Sequence, residues 1–401
     1  MKERKRILKD IDGNPLPREN GCLFLLKRKR RYCTWARLEN ENFCVNHLDE
    51  CAKGKRIACP LDPSHSIYES EKDSHVKICN FNKQRALLVS QPYFVCGLNK
   101  GEGDEDGLKL KLKAFSDKEI QNIIISLDSY LDLVGSKPAC PVEGDRSDSV
   151  GGKERHAVQE NAILTHVKSV FGEFQEGMCF IEMGCGKAGL SVAARKTMNP
   201  TQKSLHVLVD RGVFQGKKDK QIEQPGLSER IRIDIRDLDL RKVDIIKTYM
   251  EQESQPGVAM ISKHLCGAAT CYSLRCATQS MKPDAVVIAL CCHHVCSWQA
   301  YVNKEMFTKT LKLTRREFDL MCVLSSWAIC GFERSEPVLS EQVQEERRMA
   351  GIKCKQLLNH GRLLYLKQCG YESVELIQYT NVTKENILLL ASRKEENGLV
   401  R

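Results

Sequence analysis

The stretch Phe180-Ile-Glu-Met-Gly-Cys-Gly-Lys-Ala-Gly-Leu-Ser191 predicts a buried strand that turns into a helix through a glycine-rich loop. Gly184, Gly186 and Gly189 let the backbone bend sharply and approach a ligand closely. Their G-x-G-x-x-G spacing is a weak indication by itself, because it also suits a dinucleotide-binding fold. Glu182 indicates another ligand, since an acid there repels a pyrophosphate but can receive the ammonium of a methionine moiety.

Strands and helices alternate from Cys179 onwards, which predicts an open and mostly parallel α/β sheet. One strand ends at Asp210, an acid that can hydrogen-bond both hydroxyls of a ribose or, alternatively, cap a helix. Asp234 or Asp237, after the next strand, could accept a hydrogen bond from an adenine amino group. The predicted strands after the glycine loop span residues 204–210, 230–234, 258–262, 284–290, 371–379 and 387–393.

A second informative run is Val286-Val-Ile-Ala-Leu-Cys-Cys-His-His-Val-Cys296. In this run an apolar strand is followed directly by thiol and imidazole side chains. Ligands of open α/β sheets bind at the carboxyl ends of strands, so we expect a functional edge here. Lys263-His-Leu-Cys-Gly267 follows the preceding strand and should face the same crevice. A metal ion shared by several of the five residues Cys291, Cys292, His293, His294 and Cys296 is disfavoured, because adjacent residues at a strand end point in opposite directions.

The composition is that of an ordinary globular chain of 401 residues, long enough for two or three domains. No apolar stretch approaches the roughly 18 residues that a membrane helix needs. The first residues, Met1-Lys-Glu-Arg-Lys-Arg6, lack the apolar core of a secretory signal. We therefore expect no membrane association, and we expect the 20 cysteines to be reduced metal ligands or buried thiols rather than disulfides.

Positive charge is concentrated at the N-terminal end. Residues 1–60 contain 15 lysines or arginines against 8 aspartates or glutamates, a net of +7 out of +10 for the whole chain. Such a concentration attracts phosphate backbones through counterion release. A solvated tail or a nuclear import signal is the alternative interpretation. Nucleic acid is the expected partner, and no obligate protein partner is evident.

The spacing Cys59-x5-His65-x9-His75-x3-Cys79 places four good zinc ligands within 21 residues. Structural zinc sites favour a closed tetrahedron of thiolates and imidazoles. His75 and Cys79 are four residues apart, so one helix can aim both at one ion. The alternative, cysteines packed as small hydrophobic residues, is weaker because so short and polar a segment needs a metal ion to fold.

A second set of zinc ligands is Cys22-x10-Cys33-x10-Cys44-x2-His47, although Cys51 could replace one of its members. Basic side chains lie in its first loop and are followed by Tyr32 and Trp35. A mixture of basic and aromatic side chains suits an RNA backbone and its bases, while an import signal is the alternative. The candidate RNA-binding residues are Lys27, Arg28, Lys29, Arg30 and Arg31.

The chain is predicted to contain four regions. Residues 15–50 and 56–83 form the two zinc-binding modules, 84–152 form a linker with a helix, and 153–401 form the α/β domain. The linker contains a flexible acidic segment at residues 101–107, and Ser116-Asp-Lys-Glu119 has the capping-box pattern of a helix start. Residues 137–153 are predicted to be loop, and a second helix spans about 154–171.

Four stretches together resemble the zinc-finger-containing eukaryotic tRNA 2′-O-ribose methyltransferases that modify nucleotide 4 of the acceptor stem. They are the two zinc-ligand sets, Ser262-Lys-His-Leu-Cys-Gly267 and Ile288-Ala-Leu-Cys-Cys-His-His294. Ser325-Ser-Trp-Ala-Ile-Cys-Gly331 and Leu339-Ser-Glu341 give weaker support. The resemblance covers nearly the whole chain. One departure is Gly184-Cys-Gly186, where the family pattern has Gly-Ala-Gly.

The resemblance implies a class I, Rossmann-like methyltransferase domain preceded by zinc-binding modules and a helical linker. It implies S-adenosyl-L-methionine as methyl donor, two structural zinc ions, and the ribose 2′-hydroxyl of nucleotide 4 of certain tRNAs as acceptor. The expected location is the nucleus, the cytoplasm or both. The candidate cofactor-binding residues are Glu182, Gly184, Gly186, Asp210 and Asp234.

A ribose 2′-hydroxyl is a poor nucleophile, so the enzyme must align it with the methyl group and remove or stabilise its proton. We expect one of three histidines, His264, His293 or His294, to accept the proton. Lys263 would stabilise the developing oxyanion or position a phosphate. The alternative for each histidine is a structural hydrogen bond or a helix cap.

Two other functions compete with this interpretation. One is an RNA-binding protein on a methyltransferase fold that no longer catalyses, and Glu182, Gly184, Gly186 and Asp210 argue against it. The other is a methyltransferase that acts on a different RNA or on a protein.

Overall fold

The structure is a computed structural model that describes residues 18–26, 31–52, 56–61, 65–103, 109–137, 151–174, 176–222, 226–253, 256–329 and 340–393. The chain divides into two compact units, Met1–Ser90 and Gln91–Arg401, which we call the N-terminal unit and the C-terminal unit. Among the described helices, none is both long and apolar enough to span a membrane.

The N-terminal unit contains short elements and very small apolar clusters. Two antiparallel strand pairs, β1 with β2 and β3 with β4, are each followed by helix. Cysteines are the buried centres of both apolar clusters. Because little apolar surface is buried, metal binding has to contribute to the stability of this unit. Its elements are β1 (Leu25–Leu26), β2 (Arg31–Tyr32), α1 (Val45–Ala52), β3 (Arg56–Ala58), β4 (Ser66–Tyr68), α2 (Lys72–Ile78) and α3 (Asn80–Val89).

The C-terminal unit is built on a seven-stranded sheet with the strand order β10-β11-β9-β8-β5-β6-β7. The strands are β5 (Met178–Met183), β6 (Ser204–Asp210), β7 (Gly226–Arg232), β8 (Val258–Cys266), β9 (Ala285–Cys291), β10 (Ser373–Gln378) and β11 (Ile387–Ser392). Strands β5 to β9 run parallel, and β11 is antiparallel to both of its neighbours. The direction of the strand order switches at β5, because β6 and β7 lie on one side of it and β8 and β9 on the other. Such a switch point places a crevice at the carboxyl ends of β5 and β8. The predicted fold class is confirmed.

Strand β8 is longer than predicted, and β7 lies earlier than predicted, at Gly226–Arg232 instead of 230–234. Strand β8 was expected to end at Ser262, but it continues to Cys266. Its pairing with β9 shifts register between Ser262 and Leu265, so Lys263 and His264 lie in a bulge. Bulges bend a strand locally and re-aim its side chains. As a result Lys263 is half-buried while His264 is exposed at the edge of the sheet.

Helices cover both faces of the sheet and form two apolar cores. The first core joins the sheet to α5 and α6, and the second is formed largely by α4, α9 and α10. The predicted capping box is present at the start of α4, where Ser116 and Glu119 each accept a hydrogen bond from the other's backbone N–H. The helices are α4 (Asp117–Leu133), α5 (Gly152–Phe171), α6 (Gly189–Thr197), α7 (Asp244–Gln252), α8 (Ala268–Cys276), α9 (Arg315–Leu324) and α10 (Glu341–Gln368).

From Gln91 onwards, the described part of the segment predicted as a linker packs inside the C-terminal unit, whereas residues 84–90 belong to the N-terminal unit. Asn99 is fully buried, and its side-chain amide donates to the carbonyl oxygens of Ile235 and Leu238 at 2.7 and 2.8 Å. Helix α4 buries Ile123, Leu127 and Leu131. Residues 91–103 and α4 therefore belong to the same compact unit as the sheet, whereas residues 104–108 and 138–150 lie outside the described residues.

We expect Asn99→Ala to lower the free energy of unfolding of the C-terminal unit by about 2 kcal/mol, because two buried carbonyl groups lose their donor. Urea denaturation followed by tryptophan fluorescence measures this loss. Asn122→Ala is the matched control, since Asn122 is an exposed asparagine of α4. Equal stability of the two variants would show that the Asn99 segment does not stabilise the unit.

Candidate active site and zinc centres

The glycine loop joins β5 to α6 and has left-handed backbone at two glycines. Gly184 and Gly186 have φ angles of +66° and +49°. A Cβ atom on Gly184 would lie 3.2 Å from the carbonyl oxygen of His264, so the loop packs directly against the end of β8. A Cβ atom on Gly186 would meet no described atom within 4 Å. The loop is therefore closed towards β8 and open at Gly186, where a ligand can approach.

Asp210, at the end of β6, holds this loop through its carboxylate. Its Oδ2 accepts a hydrogen bond from the backbone N–H of Gly186 at 2.9 Å, and its Oδ1 accepts one from Gly212 at 2.8 Å. An ionised carboxylate offers about four acceptor positions. Asp210 therefore keeps two acceptor positions, which is the capacity that a pair of ribose hydroxyls requires.

Glu182 lies below the loop and is only 4% exposed. Its Oε2 accepts a hydrogen bond at 3.0 Å from the backbone N–H of Ser191 in the first turn of α6. Burial raises the pKa of Glu182 to about 7, although the hydrogen bond from Ser191 acts in the opposite direction. A neighbouring cation would favour the ionised form. The hydroxyl of Ser191 is buried close to this carboxylate.

Cys185 is buried in the loop at the position where alanine was expected. Nη1 of Arg230 donates to its Sγ at 3.0 Å and to the carbonyl oxygen of Gly186 at 2.9 Å. Arg230 is in turn held by two hydrogen bonds to the Asp219 carboxylate, at 2.7 and 2.8 Å. Sequence analysis missed Arg230, because no local motif connects it with a loop 44 residues earlier.

The two acids proposed for the adenine have different environments. Asp237 is buried, pairs with the Arg236 guanidinium at 3.1 Å, and accepts from the backbone N–H of Gly97 at 2.7 Å. Asp234 accepts from the backbone N–H of Arg236 at 3.0 Å, and its side chain remains 34% exposed. Asp237 is therefore used in packing, and Asp234 is the acid of the two that a ligand can reach.

Lys263, in the β8 bulge, forms an ion pair with Glu160 of α5. Their side chains are 13% and 15% exposed, so the pair is largely removed from solvent. A Cβ atom on Gly189 would lie 2.7 Å from Oε1 of Glu160, which places this carboxylate at the start of α6 as well. Glu160 therefore links three elements of the crevice, α5, α6 and β8. The sequence did not identify it, because only its position in a predicted helix was apparent.

His264 is exposed beside this ion pair, and its ring lies 6.2 Å from that of His156 in an edge-to-face arrangement. Partial desolvation lowers the pKa of His264, and the neighbouring Lys263 and His156 lower it further. The imidazole is therefore neutral at pH 7 and has a lone pair that can accept a proton.

His293 and His294 occupy opposite environments. His293 is 1% exposed, and its Nε2 lies 2.6 Å from Oδ1 of Asn359 in α10. Burial lowers its pKa well below the usual range. His294 is exposed. His294 is therefore accessible to a substrate, whereas His293 is not.

The edges after β8 and β9 are in direct contact. A Cβ atom on Gly267, whose φ is +56°, would lie 2.3 Å from the carbonyl oxygen of Val295. Only glycine allows this approach. The end of β8 therefore packs against the turn that carries His294.

The ligand atoms of Cys59, His65, His75 and Cys79 lie within 4.8 Å of one another. The two sulfurs are 3.9 Å apart, and Nε2 of His75 lies 3.3 Å from Sγ of Cys59. His75 belongs to α2, and Cys79 follows its last residue. The arrangement fits one tetrahedral zinc ion.

The atoms of Cys22, Cys33, Cys44 and His47 also lie within 4.8 Å of one another. Nδ1 of His47 lies 3.3 Å from the sulfurs of both Cys22 and Cys44. The ring of Phe24 stacks on that of His47 with 4.0 Å between the ring centroids, which fixes the imidazole. The four predicted ligands thus complete a second tetrahedral site, and the side chain of Cys51 lies outside the described residues.

The candidate RNA-binding residues are only partly covered by the structure. Lys27, Arg28, Lys29 and Arg30 lie outside the described residues. Arg31 is exposed, and the nearby Trp35 is 64% exposed. An exposed tryptophan beside an exposed arginine is available for stacking.

Three protein families match successive parts of the chain. A family described as methyltransferase TRM13 matches residues 158–392, a CCCH zinc finger in TRM13 protein matches residues 20–48, and a U11-48K-like CHHC zinc finger matches residues 56–80. The last two contain the two sets of zinc ligands, and the first contains the glycine loop with both crevice edges.

Proteins of known name resemble the chain over nearly its whole length. The tRNA:m(4)X modification enzyme TRM13 homolog of Mus musculus is 28% identical, with 94% of this chain and 95% of that protein covered. The protein of the same name from Homo sapiens is 27% identical with the same coverage. The tRNA:m(4)X modification enzyme TRM13 of Saccharomyces cerevisiae is 28% identical, with 93% of this chain and 96% of that protein covered.

Proposed function

Because this chain belongs to the methyltransferase TRM13 family, and is thus an S-adenosylmethionine-dependent methyltransferase with zinc-binding modules, we propose that it methylates the ribose 2′-hydroxyl of nucleotide 4 in the acceptor stem of certain tRNAs. The observation that carries the proposal is that the similarity to tRNA:m(4)X modification enzymes extends through the zinc modules and the crevice edges alike.

The proposed cofactor site lies along the carboxyl ends of β5, β6 and β7. Glu182 and Ser191 receive the methionine moiety, and Asp210 binds the ribose hydroxyls. Asp234 accepts from the adenine, while the open backbone at Gly186 lets the nucleoside approach. S-Adenosylmethionine supplies an electrophilic methyl group on a positively charged sulfur, so transfer to oxygen needs no metal ion.

The proposed acceptor site lies at the ends of β8 and β9. His264 accepts the proton of the 2′-hydroxyl, since it is exposed and neutral at pH 7. Lys263 stabilises the developing negative charge, and Glu160 holds its ammonium in place. His294 is the alternative proton acceptor. His293 has a positioning role instead, because its ring is buried against Asn359.

The zinc modules are proposed to bind the tRNA. An acceptor stem is A-form RNA, which proteins recognise by shape and by contacts to phosphates and 2′-hydroxyls rather than by base edges in the deep groove. The net charge of +7 over residues 1–60 supplies the attraction to phosphates, and Arg31 and Trp35 are exposed for contact.

Removing residues 1–90 is expected to weaken tRNA binding by about tenfold or more, because each lost phosphate contact also reduces the release of counterions. Affinity for S-adenosylmethionine should stay unchanged, since the deletion ends where the N-terminal unit ends. Filter binding with tRNA and equilibrium dialysis with labelled cofactor measure the two affinities. Cys79→Ser in the full chain, which removes one zinc ligand, should change tRNA binding in the same direction. Unchanged tRNA affinity would mean that the modules serve another partner.

The proposed acceptor is tested by incubating the chain with total RNA and S-adenosylmethionine labelled in its methyl group. Ribose 2′-O-methylation prevents alkaline cleavage of the next phosphodiester bond, so the label should appear in alkali-resistant dinucleotides from tRNA. A labelled base, label in another RNA, or label in protein alone would contradict the proposal.

A further inference from the structure

Three cysteines lie together beside the crevice and have no part in the proposed methyl transfer. Sγ of Cys266 lies 3.2 Å from Sγ of Cys292 and 3.8 Å from Sγ of Cys291. All three sulfurs lie within 4.8 Å of one another. Cys266 is exposed, Cys292 is half-buried and Cys291 is buried, so solvent reaches the cluster from one side.

The cluster depends on an unusual backbone conformation at Cys292. Cys266 and Cys291 are paired at the ends of β8 and β9, so their side chains lie on the same face of the sheet. A regular strand would direct Cys292 to the opposite face. Instead Cys292 has φ +50° and ψ +45°, in the left-handed region, and the chain turns back. Its sulfur thereby joins the other two.

This turn is held by charged groups from two other elements. The backbone N–H of Cys292 donates to Oε1 of Glu385 at 3.2 Å, and Glu385 forms an ion pair with Lys355 of α10. A non-glycine residue in the left-handed region costs of order 1 kcal/mol, so such a conformation persists only where the surroundings fix it. The fold thus stabilises the arrangement that brings the three thiols together.

We propose that Cys266, Cys291 and Cys292 bind a third zinc ion through their thiolates, with the fourth coordination position open to water or another ligand. Zinc–sulfur bonds of about 2.3 Å in a tetrahedron place sulfurs about 3.8 Å apart. The separation of Cys266 and Cys291 has this value, and the sulfur pairs of the two zinc fingers are similar at 3.9 and 4.0 Å. The Cys266–Cys292 separation has to widen by about 0.6 Å, which side-chain rotation supplies.

Zinc at this position would fix the geometry of the crevice. The ion would join the ends of β8 and β9, and each bound thiol would release its proton to solvent. Three protein ligands and one exchangeable position are typical of zinc sites that do not serve structure alone. Among the described residues, no fourth cysteine, histidine or carboxylate completes the group. This differs from both finger sites, which are closed by four protein ligands.

The zinc content of the full chain tests the proposal. After zinc saturation under reducing conditions and removal of free metal by gel filtration, the unaltered chain should contain about three ions, one for each cluster. Cys266→Ser should contain about two. Cys96→Ser is the matched control, since Cys96 is an exposed cysteine outside all three clusters, and it should retain about three.

A second measurement needs no variant. Iodoacetamide labelling of Cys266, followed by peptide mass analysis, should be at least about tenfold slower with zinc alone than after removal of the metal by a chelator, because a metal-bound thiolate is a poorer nucleophile. A chain that holds about two zinc ions and labels at one rate in both conditions would overturn the proposal. A Cys266–Cys292 disulfide in zinc-saturated protein would overturn it too. Neither result depends on methyl transfer, so the outcome is separate from that of the proposed function.

Discussion

Replacing His264 with alanine should lower the single-turnover rate of methyl transfer by about 10²- to 10⁴-fold, the usual contribution of a general base. Affinities for S-adenosylmethionine and tRNA should change little, because the substituted side chain is exposed at the edge of the sheet. The position of His264 supports this expectation, since its backbone touches the glycine loop and its ring lies beside the Lys263–Glu160 pair.

Two other histidine variants are the controls for this experiment. His166→Ala removes a half-buried histidine of α5 that has no proposed role, and it should retain the full rate. His294→Ala removes the alternative proton acceptor. If His264→Ala keeps the full rate while His294→Ala loses it, the assignment moves to His294. If both variants keep the full rate, neither His264 nor His294 is the base, and the proposed mechanism is wrong.

The pH dependence provides an independent measure of the same residue. A general base must be unprotonated, so activity is present above the pKa of His264 and falls as the pH drops through it. Desolvation and the neighbouring Lys263 and His156 lower this pKa from 6.5, which keeps the enzyme active in mildly acidic solution. Lys263→Ala removes a positive charge and leaves Glu160 without this ion pair. Both changes raise the pKa, so the remaining activity should be lost at higher pH than in the unaltered chain.

Gly186→Ala should weaken binding of S-adenosylmethionine by about 100-fold or more, which corresponds to about 2.7 kcal/mol. The left-handed backbone at Gly186 costs alanine about 1–2 kcal/mol. The added methyl group would also project into the open space where the nucleoside is proposed to lie. Equilibrium dialysis with labelled cofactor measures the affinity, and a thermal unfolding scan reports whether the fold is retained.

Two further glycine variants separate the effect of backbone strain from the effect of a blocked cofactor site. Gly135 has a similar φ of +63° and open space around it, so Gly135→Ala has the same backbone strain at a position outside the crevice. It should bind cofactor normally. Gly184→Ala should instead destabilise the fold, because its Cβ would lie 3.2 Å from the His264 carbonyl oxygen. Normal cofactor affinity in Gly186→Ala would show that the nucleoside does not approach the loop there.

The sequence predicted a mostly parallel α/β sheet and most of its strands. The strand at 204–210 was placed without error, because its apolar run ends abruptly at Asp210. The zinc ligands were grouped as the structure groups them, since short spacings between cysteine and histidine leave few alternatives. The glycine loop was recognised because left-handed backbone and close approach restrict the choice of residue.

Other features of the crevice depend on distant contacts and could not be predicted. Glu160 meets Lys263 across 103 residues, and no helical pattern reveals such a pair. His293 was proposed, with His294, as a possible proton acceptor, but its ring is buried against Asn359 of α10. The cysteines were expected to diverge by strand alternation, but the left-handed turn at Cys292 reverses the direction of its side chain. In each case tertiary packing overrides a local rule.

The central claim concerns one hydroxyl group, and a synthetic tRNA tests it directly. A tRNA substrate with a single 2′-deoxynucleotide at position 4 is compared with the same tRNA carrying it at position 5. Methyl transfer from labelled S-adenosylmethionine should be abolished by the substitution at position 4 and retained with the one at position 5. Transfer to the position-4 deoxy substrate at the full rate would contradict the account.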